Sequence, residues 1–240
     1  MMNAFASKHA TLLWLTFTLL TYLAASRLYQ RSGRNPWLIP VIPGVSLIVL
    51  VLIASDTPYP VYFESTRFIH FFVGPVIVGL AIPLFHQIQR LKKIWLPISV
   101  ALFAGSSAAI LSGWLIAWAF GGSAVTLISL SGKSATMPIA MALAGQFDGL
   151  VPIAAVSVAL TGIAGIIMAR PLLNLLGIRD PAVPGFSLGR TAHALGTARA
   201  LQHDETAGAY AALGMALNGL ATALLVPALI YLSRYLGFFA

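Results

Sequence analysis

The sequence has no cysteine. That excludes a disulfide framework, thiolate-bound zinc and thiol chemistry. Charge is almost as scarce: Asp, Glu, Lys and Arg make up 8% of 240 residues, against about 25% in a soluble domain. A surface so poor in charge cannot face water, so the chain reads as an all-α polytopic membrane protein. Its apolar stretches are continuous rather than alternating, which excludes a β-barrel. Acids are the rarest charge, 6 against 14 Lys and Arg, leaving a net charge of +8. In a soluble protein that excess would suggest nucleic acid. Here most basic residues sit in short connections, as in Arg27, Arg31 and Arg34, or Arg90, Lys92 and Lys93. The positive-inside bias explains such placement, and nucleic acid is not an expected partner.

A hydrocarbon core needs about 20 apolar residues. That length divides the chain into about eight membrane segments within one integral membrane domain: 10–26, 36–54, 67–88, 94–120, 122–147, 149–169, 185–202 and 206–233. The first reads as an uncleaved helix. Ala24-Ala25-Ser26 has the small residues of a cleavage site, but Arg27, Arg31 and Arg34 follow it. Pro36 falls in the first turn of the second segment, where its missing N–H costs little. The third segment contains Gly74-Pro75, and the fifth is broken by Ser131-Gly132-Lys133-Ser134 and Pro138. Proline removes a backbone hydrogen bond and disfavours helix at the residue before it. Gly74-Pro75 and Thr136-Met137-Pro138 are candidate equivalent breaks of an internal, inverted repeat, a common device of secondary transporters.

Simple alternation of these segments conflicts with the charge bias. With loop 27–34 in the cytoplasm, loop 89–93 is inside as expected, but Arg170 and Arg179 fall outside. One polar segment is therefore expected to re-enter rather than cross, and 122–147 and 185–202 are the candidates. Non-helical backbone at membrane depth is tolerated only where protein or a water-filled cavity covers it.

The same two regions hold the polar residues that could do chemistry. As a continuous helix, 185–202 places Arg190, His193 and Thr197 on one face, with Gly185, Gly189, Ala192 and Gly196 on a neighbouring bare face. Charge at membrane depth is expensive and marks a functional site by default. The structural alternatives are snorkelling or ion pairing for Arg190 and Arg199, a packing role for His193, and an interfacial position for Lys133. Lys133-Ser134-Ala135-Thr136 precedes Pro138 in the first turn of an expected half-helix, whose free N–H groups attract anions. Ser134 and Thr136 can add hydroxyl donors. The phosphate-loop spacing is missing, the histidines are too scattered for a metal, and no Ser–His pair has an orienting third group. No enzyme activity, metal or other cofactor is expected.

Several motifs occur in an order that resembles the LrgB/CidB/YohK family. They are Lys133-Ser-Ala-Thr-Met-Pro-Ile-Ala140, Thr161-Gly162-Ile163-x-Gly165, Arg179-Asp180-Pro181 and His193-Ala-Leu-Gly-Thr-Ala-Arg-Ala200. Gly74-Pro75 with Ala81-x-Pro83-Leu84 is also similar to that family, and the likeness covers about 10–235. The resemblance implies a multi-pass protein of the bacterial cytoplasmic membrane with discontinuous helices and an elevator-like transporter fold. It implies one of two roles. The first is secondary transport of a small monocarboxylate such as glycolate, glycerate or pyruvate. The second is holin-like regulation of murein hydrolase activity and autolysis with an LrgA/CidA-like small membrane protein. A homodimer is the expected oligomer. Carried onto this chain, the site residues are Lys133, Ser134, Thr136, Pro138, His193, Gly196, Thr197, Arg199 and Asn218. Arg190 is this chain's own addition, standing where the family pattern has a small hydroxylated residue, and Met137 stands where Thr is common.

Overall fold

The computed structural model describes residues 2–33, 35–69, 71–72, 75, 81–86 and 88–238. Every regular element among them is helical. The chain forms two compact units, residues 1–79 and 80–240.

The first unit contains α1 (Met2–Arg31), a short 3-10 turn at Pro36–Leu38, α2 (Val41–Ala54) and α3 (Tyr59–Ser65). Pro36 therefore opens the 3-10 turn rather than a membrane helix. The Asn35 side chain caps that turn by accepting from the Trp37 N–H. Trp14 packs edge-on against Tyr62, and the Thr18 hydroxyl meets the Tyr62 hydroxyl at 3.1 Å, joining α1 to α3. Gly74, half of the expected break in the third segment, lies outside the described residues, as does much of segment 67–88.

The second unit contains α4 (Ala81–His86), α5 (Ile88–Lys93), α6 (Trp95–Ala119), α7 (Ala124–Leu130), α8 (Met137–Gln146), α9 (Val151–Leu175), α10 (Ala182–Leu201) and α11 (Glu205–Tyr235). Four described helices are long and apolar enough to cross a membrane: Thr11–Arg31 within α1, then α6, α9 and α11. At about 1.5 Å per residue, the 25 residues of α6 or α9 span about 37 Å, more than the hydrocarbon thickness of about 30 Å. Helix α9 runs through Pro171 and α11 through Pro227. The connection expected at 170–184 therefore shrinks to 176–181. Large apolar side chains such as Leu160, Leu220 and Leu224 are exposed on these helices, as lipid-facing surfaces require.

The polar segments differ from the expected spanning helices. The fifth consists of two short helices joined by non-helical residues 131–136. The chain reverses there. Leu127 and Ile128 pack with Leu143 and Phe147, a methyl on Gly132 would meet Ala140, and the Ser129 hydroxyl accepts from the Leu150 N–H at 2.7 Å. Residues 124–149 are thus a helical hairpin with its tip at 131–136.

The seventh segment is not one helix either. His193 has φ 44 and ψ −127, far from helical values. A side chain rarely adopts that backbone geometry, and the strain costs on the order of 1–3 kcal/mol. Before the break, Gly185, Gly189 and Arg190 lie against Ala207, Ala211 and Gly214, so this arm runs parallel to α11. Beyond it, Thr197 touches Met215 and Leu201 touches Gly208, so the second arm runs antiparallel. A methyl on Gly196 would overlap the Leu188 carbonyl, although eight residues of straight helix would separate them by about 12 Å. Residues 182–201 are a second hairpin, turning at His193. The single donor face read from helical periodicity fails because the period does not carry across this turn.

Three contacts fix the ends. Ile98 and Leu102 of α6 pack with Phe186, Tyr210 and Leu213, whereas Ile110 and Trp114 pack with Val226 and Ile230, so α6 and α11 are parallel. Arg90 pairs with Asp180 at 2.5 Å. Arg234 lies 3.9 Å from Asp148 at the opposite end. The charge bias expects the end carrying Arg90, Lys92, Lys93 and Arg179 in the cytoplasm. Arg179 therefore shares an end with loop 89–93, and the conflict in the simple alternation is gone. The two hairpins enter from opposite ends of α9, one preceding its first residue and the other following its last.

Candidate functional site

Both hairpin tips are held by α6, α9 and α11. Val158 of α9 joins them. Its side chain packs with Ala140 and Ala144 of the first hairpin, and its carbonyl lies 3.1 Å from Nε2 of His193 in the second. The His193 ring sits over Gly162, which has no side chain to obstruct it. The Thr197 hydroxyl donates to the His193 carbonyl at 2.9 Å, tying the turn to its second arm.

The first tip is clipped to both long neighbours. Asn218 of α11 is buried and donates through Nδ2 to the Ser134 carbonyl at 2.8 Å. Its Oδ1 accepts from the Ser106 hydroxyl of α6, also at 2.8 Å. Trp114 donates its ring N–H to the Ser131 hydroxyl at 2.8 Å. The tip then starts α8 as expected. Thr136 is the N-cap residue, its side chain making no capping bond, and Pro138 lies in the first turn. The early N–H groups of α8 consequently lack a hydroxyl cap.

Two cations converge on this place. Lys133 Nζ donates to the Ala109 carbonyl at 2.5 Å, with its stem over Gly113. The Arg190 guanidinium lies over Gly105, and its Nη1 is buried with no hydrogen-bond partner. Gly105, Ala109 and Gly113 are four residues apart in turn, so they share one stripe of α6 on which both side chains rest.

The structure thus groups Lys133, Ser134, Arg190 and Asn218, with Thr136 and Pro138 at the head of α8. His193, Gly196 and Thr197 build the second turn; Gly196 gives the returning arm its close approach to Leu188. Arg199 is half-buried nearer the base of that hairpin. Gly105, Ser106 and Gly113, small residues of α6, receive or support the polar groups. The Ala109 and Val158 carbonyls left no sequence signal, since any residue carries one. Among the described residues, no cluster of three or more His, Asp or Glu is arranged to hold a metal.

At the cytoplasmic end, Asp180 accepts from Arg90 and from the Ala182 N–H at 3.1 Å. Arg90, and secondarily that backbone donor, hold the Asp180 carboxyl below its ordinary range. The guanidinium also faces the Tyr210 ring, 5.5 Å from its centroid.

These features define a class: a helical multi-pass membrane protein in which two opposed hairpins bring their polar tips together between long helices. The chain belongs to the LrgB-like family, whose model matches residues 18–232. It is 33% identical over 215 residues to the Bacillus subtilis protein named "Uncharacterized protein YxaC", covering 90% of this chain and 93% of the relative. It is also 28% identical over 221 residues to "Holin-like protein CidB" of Staphylococcus aureus, covering 92% and 96%. The protein of the same name from Staphylococcus epidermidis is 27% identical over 220 residues, again covering 92% and 96%. No solved structure matches the chain. Family membership and the apolar helices make this a multi-pass membrane protein of bacterial type.

Proposed function

We propose that this protein moves a small carboxylate anion across the cytoplasmic membrane, with the two hairpin tips forming its seat. The observation that carries this reading is the pair Lys133 and Arg190, resting on one stripe of α6, with an unused guanidinium N–H. Uncapped N–H groups at the head of α8 add partial positive charge of the kind that favours anions. Broken helices meeting at mid-membrane from opposite sides are a recurrent transporter device, and an elevator-like movement of the hairpins would expose the seat to either side in turn. Glycolate, glycerate and pyruvate are the first substrates to test. Uptake of labelled glycolate and pyruvate into liposomes containing the purified chain should exceed that of empty vesicles. Absence of flux under both proton and sodium gradients would reject transport.

A second reading is holin-like, with an LrgA/CidA-like small membrane protein as partner and consequences for murein hydrolase activity. The relatives named "Holin-like protein CidB" favour it, and their names speak for it more than for transport. The readings separate on mutation. Under transport, Lys133→Gln and Lys133→Met each abolish the cellular phenotype. Under holin-like assembly these polar changes leave it intact, whereas a bulky Gly189→Leu at the α10–α11 contact removes it.

A further inference from the structure

We infer that the seat at the hairpin tips takes a small anion with two negative charges, a short dicarboxylate. The inference rests on the anion-transport reading above and adds a second carboxylate to the monocarboxylates named there. Lys133 Nζ is anchored at the Ala109 carbonyl, and the Arg190 guanidinium covers Gly105 on the same helix stripe. Lys133 Nζ also lies 3.2 Å from where a Gly113 methyl would stand, so the two charges sit between four and eight helical residues apart, about 6–12 Å along the axis. The acids of this unit are engaged or placed elsewhere. Asp148 faces Arg234, Asp180 pairs with Arg90, Asp204 caps α11 through the Ala207 N–H, and Glu205 stands in the first turn of that helix. None lies beside Lys133 or Arg190.

Two half-buried like charges therefore rest on one stripe of α6 without a carboxylate between them. Partly burying a charge with no opposite charge beside it is costly. One monoanion balances one of these two cations; a dianion balances both. The side chains also suit two different groups of one ligand. The planar guanidinium, with its free Nη1 N–H, can hold a carboxylate through two parallel bonds. The ammonium acts as a point charge on a second carboxylate. With a hydrogen bond of about 3 Å at each cation, that span fits an acid of three or four carbons.

The test uses the full-length chain in liposomes at neutral pH. Labelled glycolate uptake is competed by propionate against malonate, and by butyrate against succinate. Each dicarboxylate should compete at least about tenfold better than the monocarboxylate of equal carbon number, the size of one charge-assisted hydrogen bond. Arg190→Ser should bring that ratio close to one, and Arg190→Lys should largely keep it. Better competition by the monocarboxylates, or an unchanged ratio in Arg190→Ser, overturns the inference while leaving monocarboxylate transport standing. No uptake and no competition by any of the acids removes the transport reading as well. Should Arg190→Ser fail to insert, thermal stabilisation of the wild-type protein by the same acid pairs supplies the ranking, and equal stabilisation by both members overturns the inference.

Discussion

The reversal at His193 makes a prediction that the cysteine-free chain is suited to test. Helix α10 has 20 residues. Drawn straight, it would be about 30 Å long, the thickness of the hydrocarbon core. It would then place Arg179 and Gln202 on opposite sides of the membrane. Broken at His193, its first arm of residues 182–192 is about 16 Å long, enough to reach the mid-plane and no further. The second arm brings Gln202 back to the end at which the chain entered. Single cysteines at Lys92, Arg179 and Gln202, all exposed, should react with a membrane-impermeant maleimide from the same side. A cysteine at Phe120, 89% exposed at the far end of α6, should react only from the other side. No native thiol competes. Labelling of Arg179→Cys and Gln202→Cys from opposite faces would refute the hairpin and the site built on it.

Three further expectations concern stability. Asn218→Ala removes two hydrogen bonds and leaves the Ser134 carbonyl and Ser106 hydroxyl without them; at about 0.6 kcal/mol per bond in a membrane interior and about 1–3 for unsatisfied groups, the loss should be roughly 2–4 kcal/mol. Thermal unfolding in detergent micelles should fall by about 5–10 °C, and an unchanged midpoint would show that Asn218 does not clip the tip. Gly189→Ala drives a methyl into the Ala211 backbone; it should reduce monodisperse yield sharply in gel filtration, whereas Gly145→Ala, 3.6 Å from the nearest Val151 atom, should behave as wild type. The Arg90–Asp180 pair is half-exposed, so Asp180→Asn should cost under about 1 kcal/mol at neutral pH, an effect that salt screens. Because the folded carboxyl sits below its ordinary value of about 4, this contribution is complete above that value and lost only as pH falls through the lowered one. A melting curve that differed from that of Asp180→Asn only below about pH 4 would contradict that assignment.

How much was legible in the sequence depended on whether the signal was local. Pro138 after a Ser-Gly-Lys-Ser run marked a half-helix start, and α8 begins with Thr136 as its N-cap. The conflict over Arg179 marked a re-entrant segment before any coordinates. The count of about eight segments was less legible. Hydropathy measures whether a stretch tolerates lipid, and both the folded-back 124–149 and the folded-back 182–201 do. The break at His193 was illegible for a related reason: Ala192-His193-Ala194 contains no proline or glycine, and local propensity there favours a continuing helix. What holds the turn is tertiary, namely the ring over Gly162, the bond to Val158 and the close seating of Gly196 on Leu188.

The sequence by itself determined the solvent, the helical class, the family likeness and the two cationic regions, because each follows from composition or from residues near one another in the chain. Tertiary structure decided that both regions fold back, that they enter from opposite ends of α9, and that Lys133 and Arg190 face a common stripe on α6. Those facts depend on contacts between residues dozens of positions apart. They arise because small residues at 105, 113, 162, 185 and 189 let side chains and backbones approach where larger residues would hold them apart.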